Sequence, residues 1–297
     1  MKKTTVLLLM LMSLPVFIYA QDAKDGWQIE LKRISLNLTS TQVTNAQKYQ
    51  GFPDSRLSAD DQSVIQGDFN FFAGLYTPRG LWSNTLIMQY GKTRVVPANG
   101  SPTLVSENVD NITLTTDYAL SLWNVDNFLG GFSVGPFVNA EYDTEFTPSI
   151  ASPRKQVMRG RGGLKLFKGK YIKDFYVAGV YEYDFTFNPA SNNFALETGI
   201  NVEQEIREGV KATYGGYFRD YISNSVDRPT NLDYEAGLNA RLDVLLFKNF
   251  AVAPVINYFA AQASHFGGLG QNLFVGISFS WSNVFKEAKA VKQEPAK

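Results

Sequence analysis

The sequence predicts an all-β fold, a transmembrane antiparallel up-and-down β-barrel of about twelve strands. Three observations carry this prediction. Apolar and polar residues alternate along most of the chain, as they do in strands that have one apolar face. Short and long polar connections alternate between these segments. Aromatic residues gather where the segments border the short connections.

The composition narrows the class of protein. The chain has 297 residues, no cysteine, and 28 basic and 28 acidic residues. Aromatic residues make up 14% of the chain, while the mean hydropathy of −0.16 is too low for a bundle of membrane helices. Because there is no surplus of basic charge, we expect no nucleic-acid partner.

The N-terminus carries the pattern of an export signal. Lys2 and Lys3 precede the apolar run "VLLLMLMSLPVFIYA", which ends on the small residue Ala20. This pattern predicts a secretory signal peptide over residues 1–20. A membrane anchor is the alternative, but Ser13 and Pro15 interrupt the run before it reaches about 20 residues. An exported chain without cysteine is held together without disulfides.

Segments of period two follow one another after the signal. In residues 171–187 the odd positions are largely aromatic or aliphatic, whereas several even positions carry acid. The other segments are 27–38, 64–76, 81–93, 111–123, 127–143, 156–168, 193–206, 209–222, 231–244, 249–262 and 272–281. Most approach the ~9–11 residues that cross a bilayer at a tilt. The apolar phase changes between Leu31 and Ile34, which predicts a bulge near Arg33.

The two faces of these strands predict where each side chain lies. We expect the apolar faces to contact lipid and the polar faces to line the interior of a barrel over residues 21–281. The barrel must close, because lipid cannot hydrogen-bond a free strand edge. A soluble β-sandwich or lipocalin-like barrel also alternates, but it would place its polar face outward. The predicted aromatic girdle at the short turns comprises Trp82, Trp123, Phe167, Tyr171, Phe247, Phe250 and Trp281.

Two stretches carry a resemblance to known families. The segment "FVGISFSW" (274–281) resembles the terminal targeting signal of bacterial outer-membrane proteins, with Gly276 followed by Phe279 and Trp281. This resemblance implies location in the bacterial outer membrane, contact with its lipid, and recognition by the barrel-assembly machinery. Such signals usually end the chain, whereas sixteen residues follow here. We expect residues 282–297 to form a short polar periplasmic tail or a frayed helix.

The second resemblance concerns the strand pattern itself. The segments "LWSNTLIMQYG" (81–91) and "DNITLTTDYALSL" (110–122) are similar to an uncharacterised family of Gram-negative outer-membrane proteins, a domain of unknown function. The similarity implies a barrel and no particular activity.

The sequence offers little support for catalysis or metal binding. His265 is the only histidine, and the neighbouring Ser264 should point away from it on a strand. No Gly-x-Ser-x-Gly turn is present. We therefore predict no enzyme activity, no cofactor and no metal site. The loop carboxylates lack the close spacing of a specific calcium site; they include Asp54, Asp60, Asp61 and Glu107.

Charged residues on the inward faces are the candidate functional residues. The predicted network comprises Glu141, Arg159, Arg161, Lys165, Asp174, Glu182, Asp184, Glu197, Glu205, Lys211, Arg219 and Asp233. Counting outward from the connections pairs Arg159 with Glu141, Lys165 with Asp174, Lys211 with Glu205, and Arg219 with both Glu197 and Asp233. A register slip of two residues would keep each residue on its face and change its partner.

Two interpretations of this network remain open from the sequence. Paired ions could fill and rigidify a narrow lumen, at ~0.2–1 kcal/mol for each facing pair. The same groups could instead form a constriction that selects small solutes by charge. The sequence thus favours a narrow passive channel for small polar solutes or a barrel that binds a target at its surface. The alternatives are a lipid-modifying hydrolase and a structural or adhesive barrel with a closed lumen.

Overall fold

The computed structural model describes residues 23–49, 52, 54–58, 62–95, 104–126, 128–147 and 153–291. The expected signal peptide (1–20) lies outside these residues. Within the described ranges no helix is long and apolar enough to cross a membrane.

Strands account for most of the described chain. They are β1 (Ala23–Thr44), β2 (Gln62–Thr77), β3 (Gly80–Val95), β4 (Leu104–Leu120), β5 (Trp123–Val125), β6 (Phe132–Thr144) and β7 (Gln156–Phe167). They continue as β8 (Ile172–Asp184), β9 (Ser191–Arg207), β10 (Val210–Asn224), β11 (Leu232–Phe247), β12 (Phe250–Ala263), β13 (Gly270–Lys286) and β14 (Lys289–Val291). A 3₁₀ turn (Ala46–Tyr49) and the one-turn helix α1 (Ser55–Ser58) follow β1.

The sheet closes on itself, which confirms the predicted barrel. All 14 strands belong to one sheet, and all paired strands are antiparallel. The short strands β5 and β14 supplement the wall, and the other 12 strands form it. Closure is made by β1 and β13, where Leu36 lies opposite Phe279 and Leu38 opposite Ile277. No barrel strand is left with the free edge that lipid would penalise.

The two faces of the wall differ as the period-two pattern predicts. On β13 the side chain of Ile277 is 50% exposed on the outside, whereas the adjacent Ser278 is 0% exposed and faces inward. On β8, Val177 is 55% exposed and Glu182 is 5% exposed. The outer face is therefore apolar and available to lipid, and the inner face carries the polar side chains.

The first strand contains the expected bulge. Its register against β2 shifts between Leu31 and Arg33, and its register against β13 shifts between Leu31 and Ile34. Since an extra residue is inserted there, the apolar phase changes while the lipid face stays apolar.

The connection between β4 and β6 differs from the prediction. Residues 124–126 were expected to form a tight turn, but Trp123–Val125 is the short strand β5, which pairs with the start of β6. The chain reverses further along, where Leu129, Gly130 and Gly131 have φ values of 48°, 79° and 77°. Glycine adopts this left-handed conformation without strain, so the two glycines place the reversal there.

The C-terminal segment also differs from the expected tail. β13 continues to Lys286, so the first residues of 282–297 belong to the barrel wall. Lys289–Val291 then forms β14, which pairs with Ala23–Asp25 at the start of β1. A short two-stranded ribbon therefore joins the two ends of the described chain. Residues 292–297 lie outside the described part.

The barrel has two unlike ends. At the short-turn end, four connections are tight: 78–79, 168–171, 208–209 and 248–249. The opposite, long-loop end carries longer connections, among them 45–61, 145–155 and 225–231. Aromatic side chains are exposed at the short-turn end as predicted, including Trp82, Trp123, Phe247 and Trp281. Phe167 was wrongly included in this girdle: it is 1% exposed and has the inward phase of Lys165.

Candidate functional site: the lumen

Inward charges concentrate on six adjacent strands, β6 to β11. Because alternate residues of a strand share a face, every second residue of each strand points into the lumen. We call the inward faces of β6 to β11 the charged wall. Its most buried ionic residues are between 2% and 8% exposed: Arg159, Arg161, Lys165, Glu182, Glu197, Arg219, Asp143 and Glu235.

Arg159 on β7 lies between carboxylates of both neighbouring strands. Its Nη1 donates to Oε1 of Glu141 at 2.9 Å, the contact that the sequence predicted. The same nitrogen contacts Asp143, and Nε donates to Oε2 of Glu182 at 2.6 Å. Asp143 was missed, although it follows Glu141 by two residues and so shares its face. Three carboxylates compensate this buried guanidinium.

Arg161 connects strands that are not neighbours. Its Nη1 donates to Glu141 at 3.0 Å, and its Nε donates to Glu197 on β9 at 2.9 Å. The side chain crosses β8, where the intervening inward residues are the smaller Ala178 and Val180. A link over an intermediate strand cannot be found by counting from a turn.

Arg219 on β10 has one expected partner and one corrected partner. Nε donates to Oε2 of Glu197 at 2.5 Å, as the turn counting predicted. Its second partner is Glu235 and not Asp233, because Arg219 lies opposite Glu235 in the register of β10 and β11. Asp233 is exposed and accepts a hydrogen bond from the Ser264 hydroxyl at 2.6 Å.

Lys165 pairs across both sides of β7. Its Nζ lies 3.5 Å from Oδ1 of Asp174, the predicted partner, which is an ion pair without a good hydrogen bond. A shorter contact of 2.8 Å joins it to Asp117 on β4, a residue that the predicted network lacked. The ammonium also lies 4.4 Å from the centre of the Phe137 ring.

Two other members of the predicted network have different surroundings. Lys211 lies opposite Glu205 in the register, but its Nζ is within 4.0 Å of Glu203, at 3.9 Å. Among the described residues Asp184 forms no ion pair; its Oδ1 accepts the backbone N–H of Thr186 at 2.9 Å. The carboxylate within 4.0 Å of Lys211 is therefore Glu203 and not the predicted Glu205, although Glu205 lies opposite Lys211 in the register.

Tyrosine hydroxyls complete the charged wall and were missed. Tyr221 donates to Oε2 of Glu182 at 3.2 Å, and Tyr176 donates to Glu197. Both tyrosines share the inward phase of their strands, so the alternation of each strand was the available signal. Neutral donors thus fill the acceptor sites that the arginines leave open.

The opposite side of the lumen is built differently. We call the inward faces of β12, β13 and β1 to β3 the polar wall. Its central carboxylate, Asp68, is 8% exposed. Oδ1 accepts hydrogen bonds from Gln66 at 2.9 Å and Gln89 at 3.1 Å. Oδ2 accepts from Asn37 at 2.5 Å and from Ser35 at 3.4 Å. This carboxylate is held by neutral groups.

Arg241 borders the polar wall from β11. It donates to Asp243 at 2.8 Å through Nε, to Ser278 at 2.8 Å and to Ser280 at 2.7 Å. The two serines lie on β13, beyond the intervening strand β12. The acceptors around Arg241 are therefore one carboxylate and two hydroxyl groups, whereas those around Arg159 are three carboxylates.

Part of the connection after β1 folds into the barrel at the long-loop end. We call residues 45–58 the inward segment, of which 45–49, 52 and 54–58 are described. Its buried anchors pack in one apolar cluster with β12; the cluster comprises Tyr49, Phe52, Leu57, Phe259, Ala261 and Ala263. The Tyr49 hydroxyl donates to the carbonyl oxygen of Ala261 at 3.0 Å. The Arg56 guanidinium lies 3.6 Å from the centre of the Phe259 ring.

The inward segment also faces β4 and the connection between β6 and β7. Asp54 and Arg56 line a recess there, together with Gln89, Val109, Asp110, Asn111, Glu145 and Lys155. Burial alone would raise the pKa of Asp54, but the adjacent Arg56 guanidinium lowers it to about 2. Burial raises the pKa of Glu145 to about 7, opposed by the backbone N–H and charge of Lys155.

Metal binding finds no support at this recess. Among the described residues no group of three or more histidine, aspartate or glutamate side chains has the arrangement to hold a metal ion. Of the loop carboxylates considered for calcium, Asp54 is paired with Arg56 at 2.5 Å. Asp60 and Asp61 lie outside the described residues, as does the side chain of Glu107.

The single histidine lies apart from the lumen charges. His265 is exposed in the connection between β12 and β13. The hydroxyl of the adjacent Ser264 donates to Asp233. In the part of the chain that the structure describes, the imidazole forms no hydrogen bond or ion pair with a serine or carboxylate. The described residues do not assemble a Ser–His pair.

Comparison with known proteins finds solved outer-membrane proteins at low similarity. No family model and no curated protein sequence matches the chain. Outer membrane phospholipase A from Escherichia coli is 12% identical over 83% of this chain and 92% of that chain, with a TM-score of 0.42. An outer-membrane channel from Pseudomonas putida F1 is 9% identical over 91% and 99%, with a TM-score of 0.41. The channel DcaP of Acinetobacter baumannii is 10% identical over 91% and 100%, with a TM-score of 0.39.

At these identities and TM-scores the likeness carries no argument about this chain. The class of protein follows from the molecule itself: a closed antiparallel wall, an apolar outer face and a polar interior. These features define a transmembrane β-barrel of the kind that spans bacterial outer membranes.

Proposed function

We propose that the chain is a narrow passive channel for small polar solutes across the outer membrane. The observation that carries this proposal is the lining of the lumen, where charged and polar side chains recur from one end to the other among apolar ones. Lys211 and Glu203 lie near the short-turn end, Arg159 and Arg219 further along, and Glu145 at the long-loop end. A barrel that served only as an anchor would not require such a lining.

The charged wall and the inward segment would make the channel selective by size. Paired ions on the charged wall stay in place, because Arg159 and Arg219 are each held by carboxylates from two strands. The inward segment occupies part of the opening at the long-loop end, where it packs on β12. Small hydrophilic solutes would pass beside it, and larger solutes would be excluded.

Conductance in planar bilayers tests this function. We expect purified, refolded protein to give discrete channels, and deletion of residues 46–58 to enlarge their conductance because the opening widens. A variant that lacks only residues 292–297 is the matched control and should conduct like the full chain. If heat-modifiability on gels shows that the protein is folded but no channels are observed, the proposal is contradicted and a structural or adhesive barrel is favoured.

We also propose that the chain has no enzyme activity, in particular no lipid-hydrolase activity. This part is supported by the hydrogen bond of the Ser264 hydroxyl, which among the described residues donates to Asp233 and not to His265. We expect no release of fatty acid from phospholipid vesicles by the refolded protein. Hydrolysis that is lost in His265→Ala would overturn this part of the proposal.

Orientation, assembly and family are part of the same proposal. We propose that the long-loop end faces outward, that the short-turn end faces the periplasm, and that residues 274–281 are recognised by the barrel-assembly machinery. We also propose that the chain belongs to the uncharacterised outer-membrane family that segments 81–91 and 110–122 resemble. A tag near Pro148 should be labelled on intact cells, whereas a tag at the C-terminus should not. Labelling of the C-terminal tag alone would reverse the orientation.

A further inference from the structure

One guanidinium of the lumen lacks a carboxylate partner. Arg33 lies in the β1 bulge, opposite Asn70 of β2. The charged groups that act on it are the lumen residues Arg241, Asp68 and Asp243. It forms no salt bridge within 4.0 Å to a described residue, and its Nε is buried without a hydrogen-bond partner. The other arginines described in the lumen walls each pair with at least one carboxylate: Arg159, Arg161, Arg219 and Arg241.

The nearby carboxylates are engaged by other groups. Oδ1 of Asp68 accepts hydrogen bonds from Gln66 and Gln89, and Oδ2 accepts one from Asn37. The Ser35 hydroxyl lies 3.4 Å from Oδ2 and 3.2 Å from Oδ1 of Asn37, so its one proton serves one of these two acceptors. Arg241 engages Asp243, with Nε and Nη2 at 2.8 Å and 2.6 Å from Oδ1.

The surroundings of Arg33 bring a second cation to the same place. Arg241 extends across β12 to Ser278 and Ser280, and Ser280 lies opposite Ser35, two residues from Arg33 on β1. Asn70, opposite Arg33, also has a buried Oδ1 that accepts no hydrogen bond. Two guanidinium groups thus approach one point of the lumen with a deficit of acceptors.

We propose that Arg33 and Arg241 form an oxyanion-binding site in the polar wall of the lumen. The proposal rests on the channel function and specifies it: the solutes that bind carry a carboxylate or a phosphate group. A planar guanidinium binds such groups through two parallel hydrogen bonds, and a buried N–H without an acceptor, such as Nε of Arg33, is costly. Asn70 is placed to accept a hydrogen bond from a hydroxyl or ammonium group of the same solute.

Block of the chloride current tests the site. Inorganic phosphate and acetate are added in turn to wild-type channels in KCl, and the concentration that halves the current is measured for each. We expect block by at least one anion and a rise of at least about tenfold in the half-blocking concentration in Arg33→Gln, the loss of one charge-assisted hydrogen-bonded contact. Arg33→Lys should retain part of the block, because the charge remains and the paired donors do not. Whether phosphate or acetate blocks more strongly distinguishes the two kinds of ligand.

The matched control is Arg79→Gln, which removes an exposed arginine from a tight turn and should leave the block unchanged. Equal block of wild type and Arg33→Gln would overturn the site while leaving the channel function intact. If Arg33→Gln does not fold, Arg33→Lys is the deciding variant. Block that is unchanged in Arg33→Lys would contradict a bidentate site at Arg33.

A wild-type protein that folds and does not conduct would contradict the channel function. The site is then tested separately by the temperature at which the folded barrel shifts to its unfolded mobility on gels. Phosphate or acetate should raise this temperature for wild type and not for Arg33→Gln. An equal rise in both proteins, or none in either, overturns the site.

Discussion

The two walls of the lumen treat buried charge in different ways. On the charged wall each of the two arginines Arg159 and Arg219 lies between carboxylates from neighbouring strands. On the polar wall, Asp68 is surrounded by amides and hydroxyls, and Arg33 is unpaired. The pattern of alternation is the same on both walls. Pairing on the one wall stabilises the barrel, and the unmet donors on the other wall are the groups available to a solute.

Breaking a pair on the charged wall should have the largest effect. Arg219→Ala leaves Glu235 without its ion-pair partner, whereas Glu197 keeps Arg161. Because Arg219 is 4% exposed, we expect a loss of roughly 3–5 kcal/mol in the free energy of unfolding. Urea titration in lipid vesicles, followed by heat-modifiability on gels, measures it.

A second substitution separates pairing from packing in that experiment. Arg219→Ala combined with Glu235→Gln should recover about 0.5–3 kcal/mol, since the unpaired carboxylate is gone. No recovery would mean that the lost contacts are not ionic. Arg33→Gln provides the comparison on the polar wall and should cost less than Arg219→Ala, because no carboxylate is left without its partner.

The outer face should not distinguish the two walls. Val177→Arg on β8 and Ile277→Arg on β13 place an arginine in lipid at 55% and 50% exposed positions. Each should cost ~2–4 kcal/mol if it lies near the bilayer midplane. Ser278→Asp, one residue further on β13, should cost less because Nη1 of Arg241 lies 2.8 Å from Oγ of Ser278. Equal destabilisation of all three variants in folding titrations would refute the assignment of faces.

The inward segment packs on β12 and also faces Glu145 in the connection between β6 and β7, and pH should act on the second contact only. Burial raises the pKa of Glu145 from 4.5 to about 7, and the groups that face it are Lys155, Asp54 and Asp110. The Glu145 carboxyl therefore binds its proton more tightly in the folded protein than in the unfolded chain. Its packing is strongest below pH 4.5 and weakens as the pH rises through about 7, where Glu145 ionises beside Asp54.

A spin label can report this change, because the chain has no cysteine of its own. A label on Gln47→Cys, at an exposed position of the inward segment, should become more mobile between pH 5.5 and 8 (roughly the interval around the Glu145 pKa). Glu145→Gln should flatten the profile. The apolar contacts with Phe259 and Ala261 do not titrate and should hold the segment in both proteins. An unchanged slope in Glu145→Gln would assign the effect to another group.

The smallest effect is expected for the exposed pair at the short-turn end. The side chain of Lys211 is 52% exposed and lies 3.9 Å from Glu203. Solvent screens such a pair, so Lys211→Ala should change the free energy of unfolding by less than about 1 kcal/mol. The same urea titration measures it. A loss as large as that of Arg219→Ala would show that burial does not decide the strength of these pairs.

The sequence by itself determined which face each residue occupies. Alternation is a local property, and a shift of one residue would move every apolar side chain into the lumen. Tight turns fixed the nearest pairs for the same reason: few residues separate Lys165 from Asp174. Phe167 was assigned to the girdle from its place next to a turn, although the phase of its own strand already placed it inside.

Tertiary structure decided the partners that lie farther apart. Across connection 225–231 the register slipped by two residues, so Arg219 contacts Glu235 and not Asp233. Arg161 reaches Glu197 over β8 because the residues between them are small.

The contacts of the polar wall that join β1 to β13 form only when the barrel closes. Only the pairing of β1 with β13 brings Arg33 near the serines that hold Arg241, although the two arginines are far apart in the sequence. The inward segment likewise needed the completed barrel, because its anchors pack on β12 near the other end of the chain. Local alternation sets the face of a side chain, whereas its partner depends on strand register and closure, which involve the whole sheet.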